Sequence, residues 1–268
     1  MIVDFHSHTH LSDGTLDPQA LADFMGERGV EIFAISDHDT LGAHGAFEPR
    51  NGARAITGIE INTTYRENEV HVLGYAVSPE APELAALIEH NRTERVKRAE
   101  KMVARLRAAG YGITLDDVRR EAASAHALGR PHVGKALIRR GMAPDIEWAF
   151  RNLLRRGKPG YVPSAHATPQ QAIAAIAAAG GVPVLAHPGR LKDRAILDEL
   201  AQAGLRGLEV FYPSHDADDV RFFREKARHY GLVMTAGSDF HDIRYHAHGV
   251  GVTVEREDIQ PFLQLALR

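Results

Sequence analysis

The sequence predicts an α/β barrel of parallel strands interrupted by an all-helical insertion, and three observations carry that expectation. Short apolar runs recur along the chain and end in histidine, aspartate or glutamate. Between them lie helical patterns, opened by a capping residue or proline and stopped by glycine. Across residues 89–160 the alternation ceases and only helical periodicity remains. Repeated strand-helix units with polar residues at the carboxyl ends of the strands describe a barrel whose site lies at that face.

Composition narrows the chemistry before any motif is read. At 268 residues, 44% of them hydrophobic, the chain suffices for one large domain or for one domain carrying an insertion. No apolar run reaches membrane-spanning length and residue 4 is already an aspartate, so a cytoplasmic protein without membrane span or secretory leader is expected. Cysteine is absent, which excludes disulfides, thiolate metal sites and cysteine nucleophiles together. Any metal must take nitrogen and oxygen ligands. Sixteen histidines and 35 acidic residues supply them, a set that suits manganese, iron or zinc.

The elements follow in order. Residues 2–5 read as a buried strand, whose period of two sends His6 and His8 from its end in the same direction. Asp17-Pro18 is an N-cap and first helical position, Leu21, Phe24 and Met25 form the apolar stripe, and Gly29 stops it. Residues 30–35 form a strand running into Ser36-Asp37-His38-Asp39-Thr40. Residues 55–61 and 70–75 are two further strands, the first with Glu60 near its end, the second opening with His71.

The texture then changes. Residues 82–109 form one long helix closed by Gly110, and three shorter helices begin near Thr114, Pro131 and Asp145. We expect the barrel in residues 1–88 and 161–268 and an inserted basic helical cap in 89–160. From Glu89 to Lys158 there are 17 Lys and Arg against 8 Asp and Glu, a balance of +9, so the remainder carries −12 within the net −3. A basic segment beside an acidic, cation-holding frame suits a phosphorylated substrate.

Alternation resumes with a Thr168 to Gln171 capping box before an alanine-rich helix ending at Gly180. The strand at 182–186 delivers His187-Pro188-Gly189-Arg190. A helix at 194–203, a strand at 207–211, a helix at 218–230 and a strand at 232–236 follow, the last delivering Gly237-Ser238-Asp239-Phe240-His241. A lone histidine after a strand is commonly a hydrogen-bonded turn residue. Here His6, His8, Asp13, His38, Glu60, His71, His187, Asp239 and His241 all lie at or near strand ends, which a parallel barrel gathers in one place. Nine such groups exceed the needs of one cation. They suit two or three divalent ions, and two-metal sites favour phosphoryl chemistry.

The segments FHSHTHLSDG, ISDHDT, GIEIN, VHVLGY, AHPGR and GSDFH resemble, in order and spacing, the motifs of the polymerase and histidinol phosphatase (PHP) family. That resemblance implies a distorted (β/α)7 barrel holding manganese, with iron or zinc as substitutes. It implies a first metal on His6, His8, Glu60 and Asp239, a second on Glu60, His71 and His187, and a third on Asp13, His38 and His241. Asp13 in the SDG segment, with GRPHVGKAL in the cap and AHPGR after it, resembles the branch acting on 3',5'-nucleoside bisphosphates. Arg130, His132 and Arg190 become candidate phosphate ligands, arginine offering a planar fork matched to phosphate oxygens.

The expected reaction is hydrolysis of the 3'-phosphate of a nucleoside 3',5'-bisphosphate by a metal-bridging hydroxide. No G-x-S-x-G elbow, P-loop or G-x-G-x-x-G is present, and no side-chain nucleophile is required. Asp13 and His38 of the third site, and His215, are the candidates for work on the leaving oxygen. Three alternatives stand beside this: a 5'-to-3' exoribonuclease on short 5'-phosphorylated RNA, a histidinol-phosphate phosphatase, and a non-catalytic nucleic-acid-binding module. The expected partner is a small phosphorylated nucleotide or short RNA, with no membrane and no obligate protein partner. Most other histidines, His166 among them, read as solvated.

Overall fold

The computed structural model describes residues 1–268 apart from 67, 123–127, 245–247 and 268. Strands β1 (Ile2–Asp4), β2 (Ile32–Ile35), β3 (Arg54–Tyr65), β4 (Asn68–Tyr75), β5 (Val182–Leu185), β6 (Gly207–Phe211), β7 (Val233–Ala236) and β8 (Val252–Thr253) form one sheet in the order β7-β6-β5-β4-β3-β2-β1-β8. Beyond the ends of β1 and β7 the chain joins up. Phe5 N–H donates to Ala236 O at 2.9 Å, Asp239 N–H to His6 O at 2.8 Å and His8 N–H to Phe240 O at 2.8 Å. The sheet thus nearly closes into a barrel, and β8 lies antiparallel beside the start of β1.

The expectation of an all-parallel barrel is corrected by β4, which runs antiparallel to both β3 and β5. Two residues separate β3 from β4, whereas a parallel crossover needs about a dozen or more. The reversal matters for function. His71 sits near the amino end of β4, and only an antiparallel strand brings that end to the mouth where its neighbours finish. In the register Asn62 faces His71 and Glu60 faces Leu73, so Glu60, Asn62 and His71 share one face.

Helices surround the sheet: α1 (Pro18–Glu27), α6 (Pro169–Ala178), α7 (Ile196–Gln202), α8 (Ala217–Tyr230) and α9 (Arg256–Ala266). The expected caps are present. Asp17 accepts from Ala20 N–H at 2.8 Å, and Thr168 with Gln171 forms a reciprocal box. Strand β8 and α9 have no counterpart in the sequence reading, because residues 242–268 carry neither a motif nor a clean stop, and Pro261 lies inside the helix. Helix α9 nonetheless packs Ile259, Phe262 and Leu263 among Phe5, Tyr75 and Val184, with the Phe5 and Phe262 rings 4.9 Å apart.

The helical stretch comprises α2 (Pro82–Ala108), α3 (Leu115–Glu121), α4 (Arg130–Arg139) and α5 (Ile146–Ala149), which continues as a π-helical turn at Phe150–Leu154. Helix α2 runs through the expected boundary at residue 88. Its Leu84 and Leu87 pack into the barrel cluster with Ile59, Ile61 and Ile176. Its Met102, Val103 and Leu106 join Val118, Val133, Leu137 and Leu153 in a separate apolar cluster. Among the described residues no helix is long and apolar enough to cross a membrane.

Candidate metal centre

All nine residues singled out at strand ends meet at one mouth of the barrel. Glu60, fully buried at the middle of β3, is the hub. Its Oε2 lies 3.2 Å from His6 Nε2, 3.2 Å from His8 Nε2 and 2.9 Å from His38 Nδ1. Its Oε1 lies 2.8 Å from His71 Nδ1 and 3.2 Å from His187 Nε2. Asp239 Oδ1 lies 3.3 Å from His6 Nε2 and 3.4 Å from His8 Nε2. At the outer edge Asp13 Oδ1 stands 3.3 Å from His241 Nε2 and 3.9 Å from His38 Nε2. Three groupings with metal-ligand spacing result: His6, His8, Glu60 and Asp239; His8, Asp13, His38 and His241; and His38, Glu60 and His71. His187 approaches through its contact with Glu60.

Whether a cation fits can be judged from the atoms themselves. His6 Nε2, His8 Nε2, His38 Nδ1, Glu60 Oε2 and Asp13 Oδ1 are buried and have no hydrogen-bond partner, although each lies within 4 Å of an opposite group. Buried polar atoms without partners are costly, each by about 1–3 kcal/mol. Their lone pairs converge instead of pairing, which is what coordination to a shared ion requires. Electrostatics agrees. Burial would push Glu60 up, yet His38, His6 and His71 hold it well below the usual carboxylate range. Burial would lower His8, but Asp239 and Glu60 raise it to about 10. The pocket demands positive charge, and the imidazole and carboxylate donors suit a divalent ion.

The backbone aims these side chains. His187 (φ 29°) and Asp239 (φ 56°) adopt left-handed conformations uncommon outside glycine, so the chain turns sharply just past β5 and β7. At Gly237 a Cβ would collide with His6 Cβ and stand 2.6 Å from Glu209 Oε1, so only glycine lets β7 approach this closely.

A supporting layer escaped the sequence reading. Glu209, fully buried on β6, accepts from His6 Nδ1 at 3.0 Å and from His187 N–H at 2.6 Å, which leaves His6 Nε2 facing the cluster. Asp37 accepts from Thr9 N–H, Thr9 Oγ1 and Ser12 Oγ at 2.6–2.7 Å and so shapes the loop carrying Asp13. Asp4 accepts from Ser238 N–H at 2.9 Å and Ser238 Oγ at 2.6 Å beside Asp239. Tyr212 hydroxyl donates to Asp239 Oδ2 at 3.2 Å. Glu209 had one signal in the sequence, an acid within an apolar strand.

The remaining candidates divide. Arg190 donates to Asp239 Oδ2 at 2.8 Å and lies over the Tyr212 ring, its side chain 55% exposed at the mouth. Arg130, at the start of α4, donates to Glu69 Oε2 at 2.8 Å and lies over Phe150. Both line a cleft of about 240 Å³ with Arg66, Arg156, Tyr161 and Lys192. His132 is buried and its Nδ1 accepts from Gly129 N–H at 2.9 Å, capping α4; burial, with Lys135 and Arg95 nearby, pushes it down to about 4, so it is neutral near pH 7.

His215 is a correction. Its Nδ1 donates to Val210 O on β6 at 2.9 Å and its Nε2 accepts from Gly189 N–H in the His187–Arg190 turn at 3.0 Å, so backbone groups engage both nitrogens, where a free imidazole was expected. His166 is a second correction. It is 7% exposed, and burial, aided by Arg95, lowers it to about 3. His44, His90, His229 and His248 are exposed as expected, while His126 and His246 lie outside the described residues.

No family model matches the chain. Known proteins do. It is 36% identical to a 3',5'-nucleoside bisphosphate phosphatase of Chromobacterium violaceum, over 97% of this chain and 93% of that protein. It is 33% identical to the 5'-3' exoribonuclease Rnm of Escherichia coli, over 90% of this chain and 85% of that protein. Among solved structures, an amidohydrolase from Chromobacterium violaceum superposes with a TM-score of 0.87 at 32% identity, covering 98% of this chain and 95% of that one. A protein described as a metal-dependent phosphoesterase from Bifidobacterium adolescentis gives 0.84 at 28%, covering 99% and 96%. With likeness running over nearly the whole length, and a buried imidazole-carboxylate cluster where such enzymes need their ions, the chain belongs to the PHP family of metal-dependent phosphoesterases, hydrolases acting on phosphoric ester bonds.

Proposed function

We propose that the protein removes the 3'-phosphate of nucleoside 3',5'-bisphosphates, giving the nucleoside 5'-monophosphate and phosphate. One observation carries the reading: a second cationic site stands beside the metal centre. Arg190 touches the cluster through Asp239, and the cleft it borders continues to Arg130 and Arg156 in the helical stretch. A ligand with two phosphates can place one on the ions and the other on these arginines. Tyr161 and Tyr65, which also line the cleft, offer apolar surface to the nucleoside between them. The likeness to the Chromobacterium violaceum phosphatase supports the same substrate class.

The residues that would hold the ions are His6, His8, Glu60 and Asp239; Glu60, His71 and His187; and Asp13, His38 and His241. Manganese fits the donor set, as do iron and zinc. Two or three divalent ions bound there would supply Lewis acidity and lower the pKa of water to about 7, so that no side-chain nucleophile is needed. The protein does the rest. Glu209 fixes the His6 ring, Tyr212 and Arg190 orient Asp239, and Arg190 lies where it can grip a phosphate oxygen. With His215 engaged in the turn, the corner of Asp13, His38 and His241 is left to meet the leaving oxygen. We read residues 89–160 as the cap that supplies the second phosphate site.

The test is phosphate release by protein purified without chelator. Nucleoside 3',5'-bisphosphate, 3'-monophosphate, 5'-monophosphate, histidinol phosphate and a short 5'-phosphorylated RNA are compared side by side. The bisphosphate should have the highest kcat/KM. A 3'-monophosphate cleaved equally well would remove the role of the second site. Stepwise shortening of the RNA at a higher kcat/KM would favour the exoribonuclease reading, which the likeness to Rnm supports.

A further inference from the structure

The longest helix of the chain turns an arginine inward, away from water and away from the ions. Arg95 on α2 is 7% exposed, and its guanidinium reaches three segments at once. Its Nε donates to Asp39 Oδ2 at 2.7 Å, its Nη1 to Leu128 O at 3.2 Å, and its Nη2 to Asn62 Oδ1. One turn earlier on α2, Asn91 Nδ2 donates to Asp39 Oδ1 and to Asn62 O, each at 2.7 Å, and Asn91 Oδ1 accepts from Ala167 N–H at 2.9 Å.

Each of these partners adjoins the site. Asp39 follows His38, and its N–H donates to Glu60 O at 2.9 Å. Asn62 Nδ2 lies 3.0 Å from His71 Nε2. Leu128 stands two residues before Arg130. On the next turn of α2, Arg98 pairs with Glu69 at 2.9 Å, and the other oxygen of Glu69 holds Arg130 at 2.8 Å. Asn91, Arg95 and Arg98 recur at helical spacing, so one face of α2 joins the ligand strands to the start of α4.

We propose that Arg95 is a positioning residue that fixes the separation between the metal cluster and Arg130, so that the two phosphates of one substrate are read together. The proposal rests on the bisphosphate reading above. A role in stability alone would need only the Asp39 pair; the bond to Leu128 O ties in the helix that carries Arg130. Arginine suits the task because its rigid planar fork serves several acceptors, whereas lysine is a point charge on a flexible stem.

Arg95→Lys keeps a positive charge against Asp39 and removes the fork. For the 3',5'-bisphosphate, kcat/KM should fall roughly ten- to a hundredfold, chiefly through KM, since small misplacements of a binding group cost that much. For the 3'-monophosphate the change should stay below roughly threefold, with metal content unaltered. In an Arg130→Ala background the effect of Arg95→Lys on the bisphosphate should vanish. In metal-free protein without substrate, the amides of Gly129, Arg130, His132 and Val133 should exchange faster in the variant than in wild type. Equal losses on both substrates, additive effects with Arg130→Ala, or unchanged exchange would each overturn the proposal. If wild type shows no preference for the bisphosphate, the functional reading fails while amide exchange still decides on Arg95. Should Arg95→Lys not fold, Arg95→Met combined with Asp39→Asn removes both charges and carries the same expectations.

Discussion

Glu209→Gln is the sharpest probe of how the metal centre is built, because the residue touches two candidate ligands yet is not one itself. Its oxygens accept two donors, His6 Nδ1 at 3.0 Å and His187 N–H at 2.6 Å, in a position closed to water. Glutamine offers one carbonyl oxygen and one NH2, so whichever donor faces the NH2 loses its acceptor. If that donor is His6, the ring is no longer held with Nε2 toward Glu60 and Asp239. Hydrogen bonds to a charged group contribute about 1.5–3 kcal/mol. Removing the group that orients a metal-binding histidine typically costs 10- to 100-fold in affinity, or about 1.4–2.7 kcal/mol. Competition against a chelator of known affinity would measure the dissociation constant of manganese or zinc for wild type and variant. Thermal unfolding of both metal-free forms would separate lost stability from lost binding. A variant that folds and binds metal as tightly as wild type would refute the orienting role of Glu209.

Three further outcomes are expected. Chelation should abolish phosphate release and lower Tm, and a divalent ion restored at a hundred times its Kd should add about 2.7 kcal/mol of stability; a Tm indifferent to metal would count against the cluster. His132 is held neutral by burial at about 4 while the unfolded chain takes its proton near 6.5, so its contribution to stability is intact above 6.5 and is lost as pH falls toward 4. His132→Gln keeps the reach back to Gly129 N–H without titrating; urea unfolding should show wild type losing about 3 kcal/mol more than this variant across that window, and parallel acid limbs would contradict it. Gly237→Ala should destabilise the fold by about 3 kcal/mol, because the added Cβ meets His6 and Glu209; an unchanged urea midpoint would show that β7 has room to move.

Much of the molecule was legible without coordinates, and for a local reason. A strand that ends in a polar residue, or a helix opened by Asp17 or Thr168 and stopped by Gly231, is specified by neighbours within a few positions, and the structure forms these elements nearly where expected. Most of the nine ligand candidates were found the same way, since they follow or open an apolar run, whereas Asp13 rested on the resemblance carried by its SDG segment. What stayed hidden depends on groups far apart in the chain. Strand β4 runs antiparallel because β3 extends to Tyr65, three β-branched or aromatic residues past Asn62 that carried no motif. Helix α9 has no strong start or stop, and it is held by packing on Phe5 and Tyr75.

The sequence alone determined the chemistry on offer: no thiols, an abundance of imidazole and carboxylate at strand ends, and arginines in a basic stretch. Tertiary structure decided which of those groups are at liberty to use it. His215 and His132 have the same side chain as His6, yet backbone groups at Val210 and Gly189 occupy both nitrogens of His215 and Gly129 N–H occupies the Nδ1 of His132, while the Nε2 of His6 is left without a partner. A hydrogen bond is made or withheld by distances of a few ångströms between residues as remote as His6 and Glu209, 203 positions apart, and no local pattern in a chain encodes such a distance.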